Sequence, residues 1–119
     1  MSVEPANPIR PVRRKRKDAG GRLREALQAL AMGRAEIVRH GEDAWASITF
    51  SGARHTLVLM FEGTEAIEAG ENVIAELPDH EFAIPGQLVA EATITSVEHV
   101  LHPEPQLWVE CELLLLVEC

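Results

Sequence analysis

The sequence contains no long hydrophobic run. No window of the 119-residue chain approaches the roughly 18 uninterrupted apolar residues that a membrane-spanning helix needs. The first thirty residues also lack the apolar core of a secretory signal. The sequence therefore predicts a protein without a membrane span or an export signal, and we expect it to be cytoplasmic.

Cysteine is scarce as well. Only Cys111 and Cys119 occur, and both fall on one predicted strand. Eight residues at the rise of a strand separate them by about 26 Å, which is far beyond the reach of a disulfide bond. The sequence predicts two reduced thiols, in keeping with a cytoplasmic compartment.

The motifs that carry common chemistry are also missing. The sequence has no glycine-rich phosphate loop, no evident pairing of a nucleophile with a base, and no cysteine pair at the short spacing of zinc sites. Its closest histidines, His99 and His102, fall on a predicted strand and in the turn after it, which is a poor arrangement for sharing a metal ion. We therefore predict no catalytic residue, no cofactor and no metal site.

Lysine and arginine are absent after Arg54. Residues 1–54 hold all eleven cations and six acids, whereas residues 55–119 hold thirteen acids. Six of the cations lie between Arg10 and Lys17, in a stretch that follows prolines and offers almost nothing to bury. This composition predicts a flexible basic arm over residues 1–17 and a single folded domain over residues 18–119.

The basic arm is the candidate contact for an anion or for nucleic acid. Clustered cations bind phosphate without sequence specificity. The arm has no interleaved aromatic side chains for base stacking, and the acidic remainder of the chain repels a polyanion. An acidic protein surface is therefore at least as good a partner. The residues concerned are Arg13, Arg14, Lys15, Arg16 and Lys17.

Two segments have the period of an amphipathic helix. From Gly21 to Met32 the apolar residues recur at steps of three and four, and Asp18 lies upstream as a possible cap. From Thr64 to Leu77 the same period recurs, and Pro78 prevents continuation. The outer face of the second helix is acidic and carries Glu65, Glu68, Glu71 and Glu76.

Between the helices the apolar residues alternate, as in strands with one buried face. Residues 51–54 fit a type II′ turn with glycine first, which pairs Ile48 with Leu57 and places His55 on the inward face at the edge of the core. A preceding strand from Ala35 to Arg39 is joined to this hairpin by a turn at HGED, residues 40–43, and pairs with the hairpin's first strand. The sequence thus predicts a three-stranded meander.

A second hairpin follows the second helix. Strands from Leu88 to Leu101 and from Gln106 to Cys119 are joined by a turn at residues 102–105. Their apolar residues share one face when Leu88 lies opposite Cys119. This register places Glu98 on the inward face opposite Val109, where a carboxyl group could have a raised pKa.

The pattern predicts an α+β domain. The last strand is apolar on both faces from Leu113 to Val117, so it is either central in the sheet or covered by a partner. We predict the element order α-β-β-β-α-β-β, with one five-stranded antiparallel sheet in the strand order 1-2-3-5-4 and both helices on one face.

The order of the elements resembles that of two known families. From Asp18 to Leu77 it resembles the double-stranded RNA-binding domain, but that family meets phosphates with lysines on its second helix, where this chain has glutamates. The whole order is similar to that of class I type III secretion chaperones, which implies a small, acidic, dimeric and non-enzymatic protein. Both likenesses rest on element order alone, so no residue roles follow from them.

Apolar residues on the predicted outward face of the sheet are the most specific candidate site. A contiguous apolar patch on a face that no helix covers is a mark of association. We therefore expect a non-enzymatic protein-binding or assembly module that forms a homodimer or meets a protein partner through this face. The candidate interface residues are Trp45, Val58, Met60, Trp108, Leu114 and Leu116.

Two alternatives stay open. One is nucleic-acid binding through the arm. The other is a small-molecule-binding protein or an enzyme with a site near His55 and Glu98. Arginine outnumbers lysine nine to two, which is a faint indication of a bacterial source.

Overall fold

The computed structural model describes residues 18–118. Within them, four antiparallel strands form one sheet in the order β1-β2-β4-β3, and two helices accompany it, which makes an α+β fold. The elements are α1 (Ala19–Leu30), β1 (Glu36–Ala46), β2 (Ser51–Glu62), α2 (Thr64–Glu76), a short 3-10 turn (Leu77–Asp79), β3 (Gln87–Val100) and β4 (Gln106–Val117). The predicted basic arm over residues 1–17 and the predicted thiol of Cys119 lie outside the described residues.

Both helices form where their period predicts them. Asp18 caps α1, since its carboxylate accepts a hydrogen bond from the Gly21 amide at 2.7 Å. The end of α1 is closed by Gly33, which has a φ of 73° and donates its amide to the Gln28 carbonyl. In α2, Pro78 follows directly after the last full turn. Neither helix in residues 18–118 is long and apolar enough to cross a membrane.

The first three predicted strands are two strands in the structure. The predicted strand from Ala35 to Arg39 and the one after it belong to the single strand β1, and the turn lies at residues 47–50. The Ser47 side chain makes this turn, because its hydroxyl accepts hydrogen bonds from the amides of Thr49 and Phe50. The glycine-first turn at residues 51–54 was therefore wrong, and that segment is part of β2.

The new turn changes the register of the first hairpin. Leu57 pairs with His40 rather than with Ile48, and Ile48 is fully exposed at the tip of the turn. The sheet accordingly has four strands and not five, and its order is β1-β2-β4-β3 rather than 1-2-3-5-4. The prediction that the last strand is central is confirmed, because β4 lies between β2 and β3.

The second hairpin has its turn where predicted but a different register. Glu98 lies opposite Trp108 rather than Val109, and a shift of one residue moves a side chain to the other face of the sheet. Two further shifts, between Val89 and Glu91 and between Ile94 and Ser96, are β-bulges in β3. Glu98 is therefore exposed on the outward face, and its predicted inward position was wrong.

The core lies between the helices and the inward face of the sheet. The inward side chains of β2 and β4 pack against one face of each helix, and Gly70 of α2 lets the helix approach the ring of Phe61 closely. Ile84, in the loop before β3, is also buried there. The largest fully buried apolar side chains are Phe61, Leu23, Leu27, Leu57, Leu59, Leu77, Leu113, Leu115, Val73 and Val109.

Candidate functional site

The register aligns side chains in rows on the outward face, which is the face opposite the helices. In one row, Gly52 of β2 lies between Trp45 of β1 and Leu116 of β4, and Leu116 lies opposite Leu88 of β3. We call these four residues the turn-end row, because the row lies next to the β1–β2 turn. The row crosses all four strands and contains no charged residue.

A second apolar group lies toward the other end of the same face. Met60 of β2 is paired with Trp108 of β4, and Val58 lies one step nearer the middle of the sheet. Eight residues of strand separate Met60 from the turn-end row, a distance of about 26 Å. The single patch expected from the sequence is therefore divided into two groups.

Polar side chains lie between these two groups. The Nη1 atom of Arg54 lies 3.4 Å from Glu91 Oε1 and 3.8 Å from Glu112 Oε1. Thr56 follows on the next row, where it is paired with Glu112. Ion pairs with this much exposure contribute little to stability, so they mainly balance charge in the middle of the face.

The six predicted interface residues differ in exposure. Leu114 and Leu116 are buried in the central strand, at 5% and 6% exposure. The other four, Trp45, Val58, Met60 and Trp108, are half-buried. The strongly exposed apolar residues at the end of the sheet near the β1–β2 turn were not identified, because the first hairpin's turn and the second hairpin's register were both misplaced: Ile48, Phe50, Leu88 and Val117.

A second candidate site lies on the inward face, where three side chains form a hydrogen-bonded series. Arg24 Nη1 lies 2.7 Å from His40 Nδ1, and His40 Nε2 lies 2.9 Å from His55 Nδ1. The two imidazole rings are 5.1 Å apart between centroids. His55 is fully buried, and its Nε2 atom has no hydrogen-bond partner among residues 18–118.

The direction of these hydrogen bonds follows from the arginine. A guanidinium only donates, so His40 Nδ1 must accept and the proton of a neutral His40 is on Nε2. His40 Nε2 then donates to His55 Nδ1, which leaves the proton of a neutral His55 on Nε2. The series therefore ends in a buried N–H donor that has no acceptor in the described part of the chain.

Both histidines favour the neutral form that this series requires. Burial is the main cause that lowers the pKa of His55 below its ordinary 6.5, and Arg24 adds to it, although Glu42 and Asp18 act in the opposite direction. Burial also lowers the pKa of His40, with further lowering by the charge of His55 and by Arg24. Near neutral pH the pair is therefore uncharged.

We expect the pair to make the protein less stable in mild acid. Because the pKa of His55 is lower in the folded chain, the unfolded chain binds more protons below about pH 6.5. The full free energy of unfolding is therefore present above about pH 6.5. As the pH falls toward the lowered pKa of His55, the free energy of unfolding decreases, by about 1.4 kcal/mol in total for each unit by which folding lowers that pKa. Urea unfolding between about pH 5 and 7 measures this dependence.

The variant His55→Gln should flatten this part of the pH dependence. His80→Gln is the matched control, since it removes an exposed histidine and leaves the buried pair intact. An unchanged slope in His55→Gln would show that the buried imidazole does not cause it.

The structure does not bring His55 and Glu98 together. His55 is on the inward face, whereas Glu98 is on the outward face. The predicted site near both residues is therefore wrong, and His40 is the true neighbour of His55. The sequence pattern gave no indication of this pair, because the predicted HGED turn removed His40 from the strand.

The remaining chemical candidates are limited. Burial raises the pKa of the Cys111 thiol to about 12, so this thiol is protonated and a poor nucleophile. Within residues 18–118, no three histidine, cysteine or acidic side chains are grouped so that they could hold a metal ion. The predicted anion contacts in the arm, from Arg13 to Lys17, lie outside the described residues.

The chain has no significant match among protein-family models, curated proteins or solved structures. Its class therefore rests on its own architecture, an antiparallel four-stranded sheet with two helices.

Proposed function

We propose that this protein is a non-enzymatic protein-binding module that pairs with a second copy of itself through the outward face of the sheet. The observation that carries the proposal is the turn-end row, which crosses four strands without a charge. Neither described helix packs on this face, and apolar side chains grouped on an uncovered sheet face are typical of association sites.

Exposed residues extend the turn-end row. Ile48 and Phe50 in the β1–β2 turn, together with Leu88 at the adjoining strand end, expose large apolar side chains. The half-buried indole of Trp45 lies beside them on the sheet, and a rigid aromatic of this kind is a favoured anchor in an interface. We define these four residues, Trp45, Ile48, Phe50 and Leu88, as the turn-end surface.

The charge distribution favours contact at the turn-end surface. The described residues carry eighteen acids and five arginines, so two copies repel each other over most of their surfaces. The outer side of α2 and the middle of the outward face hold many of these acids. Apolar contact at the turn-end surface buries several of the large exposed apolar side chains and keeps most of these carboxylates apart.

The proposal predicts a dimer that charge at the turn-end surface disrupts. Light scattering coupled to size-exclusion chromatography should give twice the 13.1 kDa of one chain. Ile48→Glu is the cleanest variant, because Ile48 is fully exposed and its replacement costs the fold little. We expect Ile48→Glu and Trp45→Glu to weaken the dimer by at least about tenfold.

Two further variants define the extent of the interface. Trp108→Glu tests whether the second apolar group takes part, and we expect it to weaken the dimer as well. Ala29→Glu is the matched control, because Ala29 is exposed on α1 in the helix layer. A monomeric wild type, or a dimer that survives both Ile48→Glu and Trp45→Glu, would contradict the proposal.

A further inference from the structure

The second apolar group of the outward face lies between acidic side chains. In one row, Met60 and Trp108 are flanked by Glu36 of β1 and Glu98 of β3. We call these four residues the far-end row. Both glutamates are exposed, and the Trp108 indole is oriented by a hydrogen bond from its Nε1 atom to Gln106 Oε1 at 3.0 Å. The far-end row is therefore an apolar, aromatic surface with a carboxylate on each side.

The carboxylates of this region have no cationic partner in the described body. Glu36, Glu98 and the neighbouring Glu110 form no ion pair with another residue among 18–118. Arg39 lies one row away, opposite Val58. An occupant of the far-end row therefore needs positive charge as well as apolar contact.

The far-end row of a second copy is a poor occupant. Because a glutamate lies at each end of the row, two rows stacked on each other would oppose glutamate with glutamate in either orientation. Like charges facing each other across an interface are costly. This repulsion favours a dimer whose copies overlap at their turn-end surfaces and diverge from there.

The chain carries the matching charge near its amino terminus. Residues 10–17, which read RPVRRKRK, hold six cations and no acid. We call them the basic segment. An arginine can stack on an indole and also pair with a carboxylate, which is the chemistry that the far-end row offers.

The position of α1 brings the basic segment to the second copy. Ala19, at the start of α1, and Gly52 line the same depression at the turn end of the sheet, so the segment joins the body beside the turn-end row. Two outward faces that meet only at their turn ends point in opposite directions. Beyond the contact, the far-end row of one copy therefore lies on the same side as the helix layer of the other copy.

The basic segment is also long enough. The far-end row lies about 26 Å from the turn-end row, and eight residues span at most about 26–29 Å. To reach the far-end row of its own chain, the segment would also have to pass around an edge of the sheet, from the helix layer to the outward face. Contact with the second copy avoids this detour.

We propose that the basic segment of each copy binds the far-end row of the second copy. Its arginines contact the Trp108 indole and pair with Glu36 and Glu98. This inference rests on the proposed dimer and names the segment that completes the interface.

The test measures the dissociation constant of the dimer for full-length proteins, by light scattering over a dilution series. The segment variant carries Arg13→Glu and Arg14→Glu, and the row variant carries Glu36→Lys and Glu98→Lys. Each variant places like charges in contact. We therefore expect each to weaken the dimer by at least about tenfold.

The control variant carries Glu68→Lys and Glu71→Lys on the outer side of α2, where both glutamates are exposed. It changes the net charge by as much as the row variant does and leaves the far-end row intact. We expect its dimer to be as tight as that of the wild type or tighter, because fewer acids repel each other.

Mixing the segment variant with the row variant separates contact between copies from contact within one chain. In a mixed dimer, the unchanged segment of the row variant meets the unchanged row of the segment variant, and the two charge-reversed partners meet each other. The mixed dimer should therefore be at least about tenfold tighter than the dimer of either variant alone. A segment that bound its own chain would gain nothing from mixing.

Two results would overturn the inference. One is a mixed dimer no tighter than the dimers of the separate variants. The other is a dimer that Ile48→Glu disrupts but that the segment and row variants leave as tight as the control. Both results leave the proposed dimer through the turn-end surface standing, whereas a monomeric wild type removes both proposals.

Discussion

Replacing Gly52 by alanine is expected to lower the free energy of unfolding by about 3 kcal/mol or more. A Cβ atom at Gly52 would lie 1.9 Å from the Leu115 carbonyl oxygen and 2.8 Å from the Leu116 Cα atom. Both atoms belong to the backbone of β4, which is paired on both sides, so no side-chain rotation relieves the overlap. Urea unfolding followed by circular dichroism measures the loss.

Gly41→Ala is the matched control for this variant. Gly41 is also a strand glycine, but a Cβ atom built on it meets nothing within 4 Å. We expect a change of less than about 0.5 kcal/mol. Equal losses in the two variants would mean that glycine in these strands is needed for a reason other than close approach of β4.

The second large effect is expected at Phe61. Its side chain is fully buried, and a Cβ atom on Gly70 would lie only 2.7 Å from its ring, so the backbone of α2 rests directly on the phenyl group. Phe61→Ala leaves a cavity beneath the helix that the surrounding residues fill only in part. We expect the free energy of unfolding to fall by about 3–5 kcal/mol. This is a large share of the total, since a typical domain has a free energy of unfolding of about 5–15 kcal/mol.

Phe61→Leu provides the graded control. Leucine fills much of the same space, so its cost should be about half that of alanine or less. Thermal unfolding ranks the three proteins, since a loss of 1 kcal/mol lowers the Tm of a domain of this size by about 4–8 °C. A loss in Phe61→Ala no larger than that in Phe61→Leu would show that packing under α2 is looser than the contacts indicate.

The helices could be predicted because their signals are local. The step of three and four residues, Asp18 before α1 and Pro78 after α2 each act within a few residues of the helix they limit. The fold class followed from these helices together with the alternation of the strands. A run that is apolar on both faces indicated that β4 was either central or covered by a partner, and the structure shows that it is central.

The strand register could not be predicted, because it depends on which of two turns forms. Residues 51–54 and the turn at Ser47 are both plausible in the sequence. The second is favoured by two hydrogen bonds to a side chain, whose geometry a sequence pattern does not reveal. Together with the predicted HGED turn, this displaced turn removed His40 from the strand and hid its contact with His55.

The bulges of β3 changed the predicted position of Glu98 in a similar way. A bulge adds one residue to one strand and changes which side chains face the core, and the alternation in the sequence tolerates it because Ala90 and Thr95 fit either face. The predicted interface residues stayed on one face despite these changes, since β2 and β4 pair without a shift.

All the irregularities of the sheet are in its two outermost strands. The extra residues are Val38 in β1 and Ala90 and Thr95 in β3, while β2 and β4 are regular. An edge strand that is interrupted by bulges is a poor template for another strand. These edges therefore disfavour the addition of strands from further copies of the chain. Within the described residues, the bulges in both edge strands therefore disfavour fibril growth by strand addition.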